Sequence, residues 1–160
     1  MSIKLAPPPL QVPPEFAGDR LKAAFFNGLL NTVYQMWTAL YGIRTTAKLA
    51  TTDATATSMI RVSVEAGKTV MIEARIAARR TGGAAGADGD SAFYILTGAY
   101  KNVAGVLTGI GTPDLIAGED QAGWNVAFSS SGAFAIILVT GAANNNITWE
   151  GTVSTYTVGA

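Results

Sequence analysis

The spacing of apolar positions divides the chain into a front part with a period near 3.5 and a rear part with a period of two. From Glu15 to about Arg44, Ala23, Phe26, Leu30, Val33, Trp37 and Leu40 follow one another at steps of 3, 4, 3, 4 and 3. That is the spacing of a coiled-coil seam, and it predicts one helix over 15–44. Pro14 stands near its first turn, Glu15 and Asp19 complement the positive end of the helix dipole, and Gly42 with Arg44 suits its end. A second row, Phe25, Leu29 and Met36, lies beside the seam and widens the apolar stripe, whereas Gly28, Asn31, Gln35 and Thr38 form a polar, uncharged face.

From Met59 onward the period is two. Val70, Ile72, Ala74 and Ile76 alternate with Met71, Glu73, Arg75 and Ala77; Trp124, Val126 and Phe128 alternate with Asn125, Ala127 and Ser129; Ile147, Trp149, Gly151 and Val153 alternate with Thr148, Glu150, Thr152 and Ser154. Such alternation predicts antiparallel strands with one dry and one wet face. Ala92–Leu96 and Ala133–Val139 are apolar on both faces and call for cover on both, which in a small sandwich is most easily supplied by a neighbouring subunit. Gly-rich turns around 66–68, 82–89, 109–113, 118–123, 129–132 and 141–146 separate about eight strands, near 59–65, 69–79, 91–100, 103–109, 114–117, 123–129, 133–140 and 146–157. The fold class predicted is mainly β: an extended N-terminal arm and a single α-helix, then a jelly-roll-like antiparallel β-sandwich over 59–160.

Two further segments complete the organisation. Residues 1–14 hold five of the six prolines and read as a polyproline-like docking arm, with Ile3, Leu5, Leu10 and Val12 as apolar contacts for a groove on a partner. Thr45–Ser58 is rich in Thr and Ala and reads as a linker. A helix with a wide aromatic face, tethered at a distance from the β-domain, must be covered by other chains. Two and a half heptads do not associate alone, so self-association is expected to be shared with the β-domain or with a host structure.

Composition removes most chemistry. The 160 residues include no Cys and no His, which excludes disulfides, thiolate and imidazole metal ligands, cysteine nucleophiles and His-based triads. Eleven basic and eleven acidic residues cancel, leaving no field to hold nucleic acid. The first nine residues lack the apolar run of a signal peptide, and Asn27, Asn31 and Gln35 interrupt the longest apolar stretch, so no membrane span is expected. Asn146-Ile147-Thr148 matches a glycosylation sequon by chance at a strand start.

The remaining candidates read as structure. Asp88-Gly89-Asp90 lacks the further acids of a calcium loop and reads as a solvated turn, and Asp114, Glu119 and Asp120 as surface residues. Glu73 and Glu150 are strand residues on wet faces rather than a glycosidase pair. Gly109-Ile110-Gly111 lacks the third glycine of a dinucleotide turn, and no nucleophile elbow or phosphate loop is present. Trp124 and Trp149 share the inward register and read as core, whereas Tyr100 and Tyr156 are freer to be exposed and are the possible ligand contacts. Arg79-Arg80 reads as a strand-end gatekeeper. No enzyme, cofactor or metal is expected.

The segments RIAARRTGGAAGADGDSAFYILTGAYKN (75–102) and GWNVAFSSSGAFAIILVTGAANNNITWEGTVSTYTV (123–158), with a W-x-V strand, an apolar strand ending in V-T-G and an I-x-W strand, resemble the terminal β-domains of small fibre, spike and decoration proteins of tailed bacteriophages. The resemblance covers 59–160, and the helix only in style. It implies a homotrimer in the virion, held to capsid, collar or tail proteins through residues 1–44, with the β-domain projecting. It also leaves open a lectin-like module that contacts a host-surface glycan.

Overall fold

In the computed structural model the structure describes residues 20–41 and 43–159. The chain divides into two compact units, residues 1–42 and 43–160. The proline-rich arm, with Glu15 and Asp19 of the expected first turn, lies outside the described residues.

The first unit contains helix α1, Arg20–Tyr41. Its seam residues Ala23, Phe26 and Leu30 are half-buried and Val33 is exposed; Trp37 and Leu40 fall on its last turns, with side chains outside the described ones. Phe25 and Met36 of the second row are the most open, at 72% and 59% exposure.

The second unit is a sandwich of two antiparallel sheets, as the period-two pattern predicts. Its strands are β1 (Ile43–Thr51), β2 (Thr57–Ser63), β3 (Lys68–Gly83), β4 (Ser91–Val103), β5 (Val106–Glu119), β6 (Asn125–Ser131), β7 (Phe134–Thr140) and β8 (Asn145–Gly159). One sheet has the order β1-β8-β3-β4-β5 and the other β2-β7-β6. The sheets are unequal because β4 and β5 extend the first one beside β3 as a continuous meander.

The core lies between the sheets and follows the alternation. Val70, Ile72, Ala74, Ile76 and Ala78 of β3 are all buried, as are Ile147, Trp149 and Val153 of β8 and Ala135, Ile137 and Val139 of β7. Trp149 stands at its centre, 5.9 Å from the Trp124 ring and 6.1 Å from the Tyr94 ring. Burying side chains of this kind is worth about 1.5–3 kcal/mol each.

Three sequence expectations are corrected. The linker read over 45–58 is in its first half strand β1, paired along its whole length with β8 from Ile43↔Thr155 to Thr51↔Ile147. Ala47 and Leu49 pack against the core, and Thr51 Oγ1 accepts a hydrogen bond of 2.8 Å from the Trp149 indole. Thr and Ala in alternation conceal a strand because the inward side chains are small, and the β8 edge supplies the pairing that their hydrophobicity does not announce. Arg44, read as the helix end, belongs to β1.

The two short strands read at 103–109 and 114–117 are one strand, β5. Thr97 pairs with Asp114 and Ala99 with Ile110, so Gly111, Thr112 and Pro113 bulge out of the ladder rather than turn the chain, with Gly111 at φ 67°. The actual turn is Ala104-Gly105, both at positive φ (51° and 88°), the conformation of a tight two-residue hairpin.

The doubly apolar strand at 133–139, now β7, does not leave its second face bare. Ile136 on that face is 7% exposed within the single chain, and the Arg61 guanidinium lies 4.6 Å from the centre of the Phe134 ring. Phe134 itself stays 37% exposed, so the cover supplied within the chain is partial.

Candidate functional site

The outer face of the five-stranded sheet carries several apolar side chains in the open. Register places them in rows. Tyr156 of β8 pairs with Met71 of β3, which pairs with Ala99 of β4, opposite Ile110 of β5. Two residues further, Ser154, Glu73, Thr97 and Asp114 form a polar row; next come Thr152, Arg75, Ile95 and Ile116; then Glu150, Ala77, Phe93 and Gly118. Tyr156, Met71, Ile110, Ile116 and Phe93 are 43–60% exposed.

The rows make relief as well as hydrophobicity. A Cβ on Gly118 would collide with the Phe93 ring, so the ring lies across the glycine and over β5. Ala77 is small, and a shallow depression of about 290 Å³ opens where it stands, bordered by Phe93 and Ile95 on one side and by Thr46, Glu150 and Thr152 on the other, with Arg75 at its end. Its charges are paired locally: Arg75 Nε donates to Glu73 Oε1 at 2.7 Å, and Lys48 Nζ lies 3.7 Å from Glu150 Oε2. Exposed pairs of this kind contribute little to stability, but they leave the depression without a net charge.

Glu73 and Glu150 share this face as read from the sequence. They are four register positions apart along the sheet, roughly 13 Å at about 3.3 Å per residue. That exceeds the separation of paired carboxylates flanking a glycosidic bond, about 5–10 Å.

Tyr156 is open at 49% on the outer face, as expected. Tyr100, the other possible ligand contact, points inward instead: it is 8% exposed and meets Phe128 edge-on with ring centres 5.7 Å apart. A Cβ on Gly98 would come within 2.7 Å of Phe128, so this glycine makes the room in which the ring lies beside Tyr100. Burial pushes the Tyr100 hydroxyl pKa up. It pushes Tyr94 up further, because Tyr94 is buried and also donates to Glu119 Oε2 at 2.6 Å, where a phenolate would meet a carboxylate.

The Asp88–Asp90 loop is held by the protein's own donors. Arg80, read as a gatekeeper, turns back into the loop: its Nε donates to Ala85 O at 2.8 Å and its Nη2 to Gly83 O at 2.7 Å, and Nη1 pairs with Asp88. Asp90 Oδ2 accepts from Ala87 N at 2.7 Å and from Gln121 Nε2 at 2.8 Å. The guanidinium thus stands where a cation site would need its charge. Among the described residues no three Asp or Glu gather, and no described helix is long and apolar enough to cross a membrane.

Sequence reasoning missed Phe93, Ile95 and Ile116 as surface features, whereas Met71 already fell on the wet face with Glu73 and Arg75. The doubly apolar run Ala92–Leu96 carried the signal for the first two; Ile116 joins them only through register.

No protein-family model matches the chain, and no curated protein matches it by sequence. Among solved structures it is similar to the tailspike protein of Acinetobacter baumannii phage AM24, with a TM-score of 0.40 and 8% identity over 73% of this chain and 27% of that one. It is also similar to the tailspike protein gp49 of Acinetobacter baumannii bacteriophage Fri1, described as a capsular polysaccharide depolymerase, with a TM-score of 0.31 and 13% identity over 73% of this chain and 19% of that one. The chain spans about a quarter and a fifth of their lengths.

Proposed function

We propose that the chain is a non-enzymatic structural protein of a tailed-bacteriophage virion, a short fibre, collar, tail or capsid-decoration component, in which residues 1–44 anchor and assemble a homotrimer and the β-domain projects. The observation that carries this reading is the apolar side of α1. Phe25, Leu29, Val33 and Met36 are exposed at 72%, 46%, 46% and 59%, a surface that water does not favour and that sister helices or a host particle would cover. Three tethered arms would then bind their site together at high effective concentration, so that each need bind only weakly.

Native mass spectrometry of the full chain tests assembly: a trimer at micromolar concentration is expected, and a stable, well-folded monomer refutes the reading. Removing residues 1–42 is expected to leave a soluble β-unit that no longer enters particles. Incorporation of that truncated chain at normal copy number would show that the anchor lies elsewhere.

A further inference from the structure

We infer that the outer face of the five-stranded sheet seats a second copy of this chain, so that assembly runs through the β-domain as well as through the helix. The inference rests on the assembly proposed above and adds a surface to it.

Size favours a protein partner. Phe93, Ile110, Ile116, Met71 and Tyr156 are each about half exposed, between 43% and 60%. At roughly 150–200 Å² per large side chain they present on the order of 400–500 Å² of apolar surface, the scale of patches that mark interaction sites. This is about half of the roughly 800 Å² per partner of a standard interface, the remainder falling to α1 in the assembly proposed above.

Charge selects a copy of the same chain over a polyanion or a strongly charged protein. Across the middle of the face Arg75 is paired with Glu73 and Lys48 with Glu150, and the whole chain balances eleven basic with eleven acidic residues. A face of this kind meets itself without like-charge repulsion.

Shape points the same way. Phe93 and Ile95 form one wall of the depression, Thr46, Glu150 and Thr152 form the other, and Ile116 lies on the strand beyond. Ridge and hollow share one surface, so the ridge of one copy can enter the hollow of the next. Pairing through the β5 edge of this sheet is disfavoured, because Gly111 at φ 67° and the bulged Pro113, which has no N–H to donate, interrupt it.

The test uses the full chain, with Ile116→Lys and Met71→Lys read by sedimentation velocity and by circular dichroism. Association is expected to weaken at least tenfold in each variant, with the β-sheet spectrum unchanged, since both side chains are half in water already. Leu29→Lys on α1 separates the two proposals. If Ile116→Lys and Met71→Lys assemble like the wild type while Leu29→Lys dissociates, the sheet face is not an interface and the helix-based reading stands. A monomeric wild type overturns both. If instead both sheet variants keep the assembly but lose binding on a glycan array, the face belongs to a sugar and the inference is wrong.

Discussion

Strands β4 and β7 look alike in sequence, both apolar on both faces, yet they finish differently. On β7 the second face is closed in greater part within the chain: Ile136 is 7% exposed, and Phe134, under the Arg61 side chain, is 37% exposed. On β4 the second face is open, with Phe93 at 52% and Ile116 beside it on β5 at 60%. A two-faced apolar strand therefore signals only that cover is needed. Whether the chain supplies it depends on what the neighbouring strands place alongside, a long amphipathic Arg stem in one sheet and a glycine in the other.

The largest effect bears on the core that both strands share. Trp149→Ala is expected to cost about 3–5 kcal/mol, because it opens a cavity beneath both sheets and removes the donor to Thr51. Chemical denaturation reads this directly, and a loss under 1 kcal/mol would mean that β1 and β8 are not held by this residue.

Next comes the closed face. Ile136→Lys is expected to destabilise by on the order of 3 kcal/mol, since it drives a charge into a nearly fully buried position. A melting temperature unchanged by this substitution would erase the difference between the two faces.

A pair of glycines compares the inner and outer faces of the same sheet. In Gly98→Ala the new methyl meets the Phe128 ring, which is packed against Tyr100, and the cost is expected at about 1–3 kcal/mol. In Gly118→Ala the methyl meets Phe93, whose ring is half in water and can swing aside, so the cost is expected below about 1 kcal/mol. Equal losses would show that Phe93 is as confined as Phe128.

Alkaline pH probes the inner face of β4. Tyr94 and Tyr100 have raised pKa values in the folded state, the first through burial and then Glu119, the second through burial. Their contribution is therefore complete below the ordinary tyrosine value of about 10 and is lost as pH rises above it, where the unfolded chain releases protons that the folded chain keeps. Urea midpoints between pH 8 and 11 are expected to fall, and less steeply in Tyr94→Phe. The smallest effect on folding belongs to Ile116→Lys, within about 0.5 kcal/mol for the isolated β-unit. A large loss there would mean that the open face is structural.

The period-two segments, the inward Trp124 and Trp149 and the mainly β class were legible in the sequence, because a side chain's face follows from its parity along a strand. That α1 is a helix was legible from the 3,4 spacing for the same kind of reason. Strand β1 was not, since Thr and Ala pair well but announce little, and neither was the continuity of β5 through a Gly-Pro bulge that reads as a turn. Tyr100 shares the parity of buried Tyr94 and Leu96, and what hid its burial was the strand end expected at 100, whereas β4 runs on to Val103.

The sequence by itself thus determined which face of its strand each side chain takes, because local periodicity is a property of the chain. Only the tertiary structure decided which of them find cover, because that depends on register between strands far apart in sequence. Register sets Phe93 across a glycine and Ile116 next to Ile95, and so turns scattered apolar residues into one exposed face.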